Sequence, residues 1–397
     1  MMTNPSTIEH HDVVVVGARC AGAATAMLLA AAGHDVLLLD RDTFPSDTLS
    51  THGIARAGMV QLDRWGLLQA VLDTGAPAIR NVEFHGAGLD VARTIKDRSG
   101  IDMIVAPRRH VLDMLLVNAA MSAGAQLMTG VTVDGVRRAD DGRITGVRGR
   151  TAAGAPLEIA ARFVVGADGL RSRIARSVDA PLTEQRGAGG AGHYSYFAGD
   201  WPAMEYHLGE RLFAGVFPTN NGEACIWVCS PADDALRQRR SHETIEDAFD
   251  TMLRAAAPDV SDRIATKATR TSPVRGVIGM PNQIRRPVGP GWALVGDAGY
   301  HRDAITGHGI SDAFRDADLL AAALDSILRG EADEAIALSG YHAERDSQLR
   351  EIFEITCALS NFPAADRFIE LQRQLNAAID TQAAALAARP DPWLATA

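Results

Sequence analysis

DVVVVGARCAGAATAMLLAAAGHDVLLLD, residues 12–40, is the segment that says most about the architecture of this chain. DVVVV (12–16) and DVLLLD (35–40) are continuous apolar runs, which are typical of strands covered on both faces of a parallel sheet. Between them, ATAMLLAAA (24–32) predicts a helix that ends at Gly33. The order strand, helix, strand therefore predicts a βαβ unit.

The turn inside this unit has the position of a phosphate-binding loop. Gly17-Ala18-Arg19-Cys20-Ala21-Gly22 lies where amides at a helix N-terminus can receive a pyrophosphate. Asp40 ends the second strand, where its carboxylate can hydrogen-bond a ribose diol, and the adjacent Arg41 either serves the adenosine or faces water. Arg19 replaces the middle glycine of the usual pattern. Either the loop follows a different path, or the guanidinium contributes charge to the diphosphate.

A literal G-x-G-x-x-G also occurs, at Gly187–Gly192. It follows the polar stretch LTEQR and precedes the strand-like HYSYF, so it lacks the preceding strand and the following helix that a nucleotide turn requires. We expect this segment to be a flexible loop.

Two later segments have the character of turns at strand ends. GADGLRSRIAR (166–176) contains Asp168-Gly169. GWALVGDAGYHRDAITGHGISDAFRDADLL (291–320) contains Gly296-Asp297, followed by Gly307-His308-Gly309 at the start of a predicted helix. Taken with residues 17–40 and with Arg109 in the pattern Arg-x-x-Leu-Asp-x-x-Leu, this order resembles the class A flavoprotein monooxygenases, the para-hydroxybenzoate hydroxylase-like family. The resemblance covers residues 12–60, 105–180 and 285–330.

The resemblance implies that the chain binds FAD. The residues expected to hold the ADP half are Gly17, Arg19, Gly22, Asp40 and Arg109, with Ala18 and Arg41 counted beside them and Val133 contacting the adenine through its backbone. Gly296 and Asp297 are expected at the ribityl and pyrophosphate region, and Asp168-Gly169 looks like the motif that serves both FAD and NAD(P)H. Ala304 stands where family members usually have a proline. Amides at Gly307, Gly309 and Ile310, at the positive end of a helix dipole, would stabilise negative charge on reduced flavin.

The activity that the resemblance implies is hydroxylation of a phenolic or polycyclic aromatic molecule with FAD, O2 and transiently bound NADH or NADPH. Alternatives are a prenyl (geranylgeranyl) reductase, an oxidase, a halogenase, or a non-catalytic flavin-binding redox sensor. The W-x-W-x-I-P signature of tryptophan-type halogenases is absent, which argues against that branch. His52 and His301 are candidates for deprotonating a phenol, and the alternative for each is a structural or site-lining role.

The predicted fold class is α/β, with a discontinuous Rossmann-like FAD-binding domain, an inserted mixed-sheet α+β substrate domain and a helical C-terminus. The predicted FAD-binding domain comprises 1–75, 103–180 and 286–345, the substrate domain 76–102 and 181–285, and the C-terminal helical segment 346–397. In the substrate domain, Trp201, Trp227 and Tyr196 either line an aromatic pocket or belong to the core.

Composition excludes several classes of partner. The 397 residues are 47% hydrophobic with a net charge of −10 and contain no basic stripe, so nucleic acid and anionic membrane surfaces are not expected to bind. MMTNPSTIEHHD does not resemble a signal peptide, no apolar run approaches the roughly 20 residues of a membrane span, and we expect a cytoplasmic protein. The four cysteines are too few for a disulfide framework, Cys225 and Cys229 are expected as buried strand thiols, and no metal site is predicted. The oligomeric state stays open.

Overall fold

The computed structural model describes residues 9–50 and 52–390. Two stretches lie outside the described residues. Residues 1–8 form most of the stretch that we predicted not to be a signal peptide, and residues 391–397 are the end of the predicted C-terminal helical segment. The strands are β1 (Glu9–Val16), β2 (Val36–Leu39), β3 (Asn81–Gly86), β4 (Leu89–Thr94), β5 (Gln126–Met128), β6 (Val131–Arg138), β7 (Ile144–Thr151), β8 (Pro156–Gly166), β9 (Leu182–Ala188), β10 (Gly190–Ala198), β11 (Met204–Gly209), β12 (Leu212–Pro218), β13 (Glu223–Pro231), β14 (Thr269–Arg270), β15 (Arg275–Ile278), β16 (Pro281–Arg285), β17 (Val288–Gly289), β18 (Trp292–Leu294) and β19 (Tyr300–His301). The helices are α1 (Cys20–Ala31), α2 (Arg56–Arg64), α3 (Leu68–Asp73), α4 (Arg109–Ser122), α5 (Arg173–Ser177), α6 (Ala232–Ser241), α7 (Ile245–Ala256), α8 (Pro258–Lys267), α9 (Gly309–Leu328), α10 (Glu334–Leu359) and α11 (Ala365–Ala387).

The first sheet has the strand order β17-β18-β8-β1-β2-β5, with β7 and β6 continuing from β8. β1 runs parallel to both β2 and β8, so Val14 lies between Leu37 and Val164. Val13 and Val15 pack under the helices α1, α4 and α9, whereas Val14 packs against residues of β6, β7 and α5. The prediction of a parallel sheet covered on both faces is confirmed, and with it the α/β fold class.

α1 begins at Cys20, not at residue 24 as the apolar run predicted. Its residues from Cys20 to Ala30 are nearly all buried, because the helix lies between β1 and the neighbouring helices α4 and α9. A helix that is apolar all round is typical of such a buried position. The earlier start brings the first helical turn to the end of β1, where a ligand can reach its free amides.

The second sheet has the order β14-β10-β13-β12-β11-β3-β4, and β15 pairs with β10. β3 runs parallel to β11, with Phe84 beside Tyr206, so strands from both predicted substrate-domain segments share one sheet. Helices α7 and α8 cover one face around Phe249, and the opposite face packs its aromatic side chains against α10 and α11. The exact domain limits stay a prediction.

The prediction of a flexible loop at Gly187–Gly192 is wrong. These residues span the end of β9 and the start of β10, with only Gly189 between the strands. A Cβ at Gly189 would lie 2.3 Å from Asp303 Oδ2, and the Gly190 amide donates to the same carboxylate. The close approach of Asp303 therefore explains the glycines at 189 and 190, whereas a Cβ at Gly187 would meet no atom within 4 Å.

The helical C-terminal region consists of α10 and α11, which pack against each other and against the aromatic face of the second sheet. Within residues 9–50 and 52–390, no helix combines the length and the apolar character needed to cross a membrane.

Candidate cofactor and active site

The turn between β1 and α1 is shaped by two glycines. Gly17 has a φ of +105°, and a Cβ there would lie 2.4 Å from the carbonyl oxygen of Ala167, the residue that follows β8. A Cβ at Gly22 would lie 1.7 Å from the carbonyl oxygen of Gly17, so the helix can approach the strand only without a side chain at this position. Arg19 is the N-cap residue of α1 and its side chain makes no capping hydrogen bond. The first amides of α1 are therefore available to a ligand.

Arg19 does not point free into this turn. Its guanidinium donates to Asp113 at 2.8 Å and to Asp42 at 3.1 Å, and also to Ser46. The Asp113 carboxylate is fully buried and also accepts from Arg109, at 3.0 Å, and from the Cys20 thiol. The Arg19 side chain is thus held at one wall of the pocket by two carboxylates, while the loop keeps the close glycine contacts of a phosphate-binding turn. Asp113 was not singled out from the sequence, although it lies one helical turn after Arg109.

Asp40 connects the end of β2 to this turn. Its carboxylate accepts from the amides of Ala18 at 2.7 Å and of Asp42 at 2.8 Å. Burial raises the pKa of this carboxyl group, and the two amide hydrogen bonds oppose the rise. Asp40 therefore fixes the path of the loop, and each oxygen retains a lone pair for a further donor.

A pocket of about 770 Å³ unites most of the predicted site residues. This volume lies in the range of ligand sites. Fifteen of the seventeen predicted residues line it: Gly17, Arg19, Asp40, Arg41, His52, Arg109, Val133, Asp168, Gly169, Gly296, Asp297, His301, Gly307, Gly309 and Ile310. Ala18 and Gly22 lie behind the wall, where Ala18 is fully buried and Gly22 packs against the strand end.

Asp168 lines the pocket, but its carboxylate is already engaged. One oxygen accepts from the Ser172 hydroxyl, and the other accepts from the amides of Arg173 and Ile174 at the start of α5. The side chain therefore stabilises the first turn of α5, and the adjacent Gly169, with a φ of +75°, carries the chain along the pocket.

The N-terminus of α9 opens on the same pocket. Gly307 has a φ of +65°, and the N-cap residue His308 makes no side-chain capping bond, so the first amides of α9 are free. The turn before it, Ala304–Thr306, is a short 3-10 helix capped by Asp303, which accepts from the Ile305 amide at 2.9 Å. The turn is thus ordered with an alanine at the position where a proline is usual.

Asp297 lies between the two free helix N-termini. Its side chain is exposed to the pocket. Burial of this region in the protein raises the pKa of the carboxyl group, and the nearby His301 and Arg109 oppose the rise.

The two candidate histidines have different surroundings. His52 is only 1% exposed and has a φ of +65°, and its ring stacks on Tyr196 and contacts the Tyr196 hydroxyl. Burial, together with the positive charges of Arg109 and Arg108, holds the pKa of His52 well below its usual value. His301 is partly exposed, and its Nδ1 lies 2.6 Å from the carbonyl oxygen of Pro281.

The far wall of the pocket comes from the second sheet. It is formed mainly by His193, Tyr194, Trp227, Cys229, Val277 and Met280. Of the three aromatic residues named from the sequence, only Trp227 reaches the pocket, whereas Trp201 and Tyr196 belong to the core. Cys225 and Cys229 are buried strand thiols as predicted. The alternation in HYSYF puts Tyr194 on the same face as Tyr196, but nothing in the sequence says which face meets the pocket.

One group of potential metal ligands lies elsewhere in the described residues. Atoms of His85, Glu205 and His207 lie within 4.8 Å of one another on β3 and β11. Arg263 binds the Glu205 oxygens at 2.9 and 2.6 Å, and His207 Nε2 lies 3.1 Å from the same carboxylate. The charges of this group are accounted for by an ion-pair network between the sheet and α8.

The pocket suits an elongated dinucleotide cofactor. Two helix N-termini without side-chain caps line the pocket and can each bind negative charge, and the glycine at position 17 leaves room where a Cβ would meet the residue that follows β8. Asp40 at one end and Asp297 between the helices supply acceptors for sugar hydroxyl groups. The residues present therefore fit FAD.

Comparison with known proteins agrees with this fit. A family model described as FAD binding domain matches residues 10–356. Menaquinone reductase of Mycobacterium tuberculosis is 28% identical over 337 residues, covering 81% of this chain and 78% of the relative. Digeranylgeranylglycerophospholipid reductase 2 of Methanopyrus kandleri is 30% identical over 320 residues, covering 75% and 73%.

Solved structures share the fold. PqsL of Pseudomonas aeruginosa, described as a probable FAD-dependent monooxygenase, aligns with a TM-score of 0.78 and 24% identity over 92% of this chain and 100% of that chain. The p-nitrophenol 4-monooxygenase PnpA of Pseudomonas putida aligns with a TM-score of 0.76 and 17% identity over 96% and 97%.

Proposed function

The chain belongs to the FAD binding domain family and is an FAD-dependent oxidoreductase, and from this premise we propose that it is of the class A monooxygenase type and hydroxylates a phenolic or polycyclic aromatic molecule with NADH or NADPH and O2. One observation carries the proposal. A single pocket runs from the free N-termini of α1 and α9 to a wall made by aromatic and histidine side chains of the second sheet.

The ADP half of FAD would lie at the β1–α1 turn, beside Arg109 and the backbone of Val133, with Asp40 as acceptor for the ribose. Asp297 would receive the ribityl hydroxyl groups. The free amides at Gly309 and Ile310 would face the part of the isoalloxazine that gains negative charge on reduction. The chemistry that FAD supplies when bound is acceptance of hydride from NADH or NADPH and activation of O2.

The work left to this chain is to orient the substrate and to keep water from the reacting atoms. Tyr194, Trp227 and Met280 form an apolar wall opposite α9. The Tyr194 hydroxyl donates to the Thr48 carbonyl at 3.4 Å, which holds the segment before His52 against the second sheet. A flat ring can stack on this wall and present its edge toward α9.

The region behind the wall favours a compact substrate. The rings of Tyr206, Phe213, Phe217 and Trp227 contact one another with centroid distances between 5.3 and 6.2 Å. Tyr206, Phe213 and Phe217 do not line the pocket, so packed aromatic rings lie next to Trp227 on its side away from the pocket residues. This packing supports a compact aromatic substrate over a long isoprenoid chain.

The second candidate is reduction of a double bond in an isoprenoid lipid or quinone. The observation in its favour is that the relatives cited above are called menaquinone reductase and digeranylgeranylglycerophospholipid reductase. A reductase of this kind would use the same FAD site and would need no O2.

Oxygen dependence separates the two functions. We would reconstitute the purified protein with FAD and screen phenols, naphthols, polycyclic phenols, menaquinone and geranylgeranyl lipids for stimulated oxidation of NADH and NADPH. The hydroxylase proposal predicts a product that carries one atom of isotopically labelled O2, and no product without air. A saturated isoprenoid product formed anaerobically would refute it in favour of the reductase. Bound FAD with no stimulation by any compound would indicate a flavin-binding sensor.

A further inference from the structure

Of the two candidate histidines, His301 is the partly exposed one, and it lines the pocket with a ring nitrogen, Nε2, that no described group hydrogen-bonds. We propose that His301 Nε2 accepts the proton of an acidic hydroxyl group on the substrate, so that the substrate reacts as a phenolate. This inference rests on the proposed function and deepens it, because it requires a substrate whose hydroxyl group is ortho or para to the reacting carbon.

The tautomer of His301 follows from its partner. Nδ1 lies 2.6 Å from the carbonyl oxygen of Pro281, and a carbonyl oxygen can only accept a hydrogen bond. Nδ1 must therefore carry the hydrogen, which leaves the lone pair of the neutral ring on Nε2. The pairing of β19 with β16, where His301 lies beside Gln283, fixes the ring in this position.

The free nitrogen is open to a ligand. His301 lines the pocket and is partly exposed, and no group in the described part of the chain makes a hydrogen bond to its Nε2. Of the six described large apolar side chains that are exposed, Leu49 and Val277 also line this pocket, so its mouth suits an aromatic ring. An apolar mouth and a polar acceptor inside it match a phenol.

Two carboxyl groups lie close enough to His301 to interact with it electrostatically. Burial raises the pKa of Asp297 and of Asp303, and the nearby His301 opposes the rise at each of them. Asp303 is held by the amides of Gly190 and Ile305. The neighbouring cation, Arg302, also lines the pocket, and its guanidinium is paired with Asp312 on α9.

His52 cannot take the same role. Its ring is 1% exposed, with Nε2 against the Tyr196 hydroxyl, and its Nδ1 is buried without a partner among the described residues. A substrate oxygen cannot reach either nitrogen without movement of the surrounding loop. We therefore assign His52 to the packing between this loop and the second sheet.

The step is a simple proton transfer. The O–H bond of the substrate breaks, its electron pair stays on the oxygen, and an N–H bond forms at His301 Nε2. The resulting phenolate is more electron-rich at the ring carbons ortho and para to the oxygen. The proton returns to the product oxygen or leaves to water when the product is released.

The test uses the FAD-loaded protein with two fluorinated phenols. Para-fluorophenol is a weak acid, whereas pentafluorophenol is already ionised in neutral solution, and the fluorine NMR signal of each reports its ionisation state. We expect wild-type protein to bind para-fluorophenol as the phenolate at neutral pH, and His301→Gln to bind it as the neutral phenol. In turnover, kcat/KM for para-fluorophenol should fall about 100-fold in His301→Gln, as for loss of a general base. It should fall much less for pentafluorophenol, whose oxygenation at a C–F carbon releases fluoride and gives a quinone.

His242→Gln is the matched control, because His242 Nδ1 also lies 2.9 Å from a backbone carbonyl, that of Gln238, but His242 does not line the pocket. This variant should behave like wild type. The inference is overturned if the wild type fails to bind para-fluorophenol or binds it as the neutral phenol, or if His301→Gln still binds it as the phenolate. It is also overturned if kcat/KM of His301→Gln falls by the same factor for both phenols. If His301→Gln loses its flavin, the wild-type NMR measurement decides. Wild type that ionises bound phenol but never oxygenates it would refute the hydroxylase proposal alone.

Discussion

Gly22 sets how closely α1 can approach the end of β1, so a methyl group there should harm both the fold and the FAD site. In Gly22→Ala the new Cβ would start 1.7 Å from the Gly17 carbonyl oxygen and 3.0 Å from the Ala167 side chain. The nearest atom belongs to the backbone, so the helix must move by about 1 Å or more. We expect a loss near the upper end of the usual cost of overpacking, about 3 kcal/mol.

The same movement displaces the free amides of α1 from a bound diphosphate. Loss of one hydrogen bond to a charged group costs about 2 kcal/mol, which corresponds to about thirtyfold weaker FAD binding. The free energy of unfolding would be measured on the apoprotein in urea, and the affinity by titration of the apoprotein with FAD.

Gly340→Ala provides the matched control, because a Cβ at this exposed position in α10 would meet no atom within 4 Å. It should stabilise the protein by about 0.5–1 kcal/mol and leave the FAD affinity unchanged. A Gly22→Ala protein with wild-type stability and FAD affinity would show that α1 and β1 do not pack as closely as described.

Three further substitutions test the surroundings of the site. Arg108→Met should lower the free energy of unfolding, measured in urea, by about 2–3 kcal/mol. In the wild type the half-buried Glu223 carboxylate lies 2.7 Å from the Arg108 guanidinium, and the substitution leaves it without this cation. A loss below about 0.5 kcal/mol would contradict this. Burial and the charge of Arg302 lower the pKa of His308 to about 4. As the pH falls, the unfolded chain therefore takes up the proton before the folded protein does. The free energy of unfolding of the wild type should fall by about 3 kcal/mol between about pH 6.5 and pH 4. His308→Gln should show a flatter pH dependence in urea unfolding, and an equally steep one would refute the assignment. Asp168→Ala should lose about 1–2 kcal/mol because the amides of Arg173 and Ile174 lose their carboxylate acceptor, and an unchanged urea midpoint would show that these two hydrogen bonds are dispensable.

Local patterns in the sequence were sufficient to predict the nucleotide-binding half of the fold. The continuous apolar runs of β1 and β2 predicted a parallel sheet, because buried strands of this kind have no polar face. The position of Asp40 at a strand end predicted a carboxylate of the nucleotide site, and in the structure this carboxylate accepts from the Ala18 amide of the loop, because carboxyl ends of parallel strands share one edge of the sheet. Such features depend on neighbours within one βαβ unit.

Partners distant in sequence could not be assigned in the same way. Asp113 accepts hydrogen bonds from both Arg19 and Arg109. Its pairing with Arg19 spans 94 residues, and nothing local to Asp113 or to Arg19 predicts it. The glycines at 187–192 looked like a mobile turn, but the approach of Asp303, 113 residues beyond Gly190, places them in strands.

The candidate site shows the same division. The sequence by itself determined the prediction that glycine turns, strand-end carboxylates and a helix start at Gly309 form a dinucleotide site, because each of these signals lies within a few consecutive residues. Only the tertiary structure decided that His301 lines the pocket with Nε2 free while the ring of His52 is 1% exposed and packed on Tyr196. The physical reason is that exposure and tautomer are set by whichever distant backbone or side chain packs against the ring.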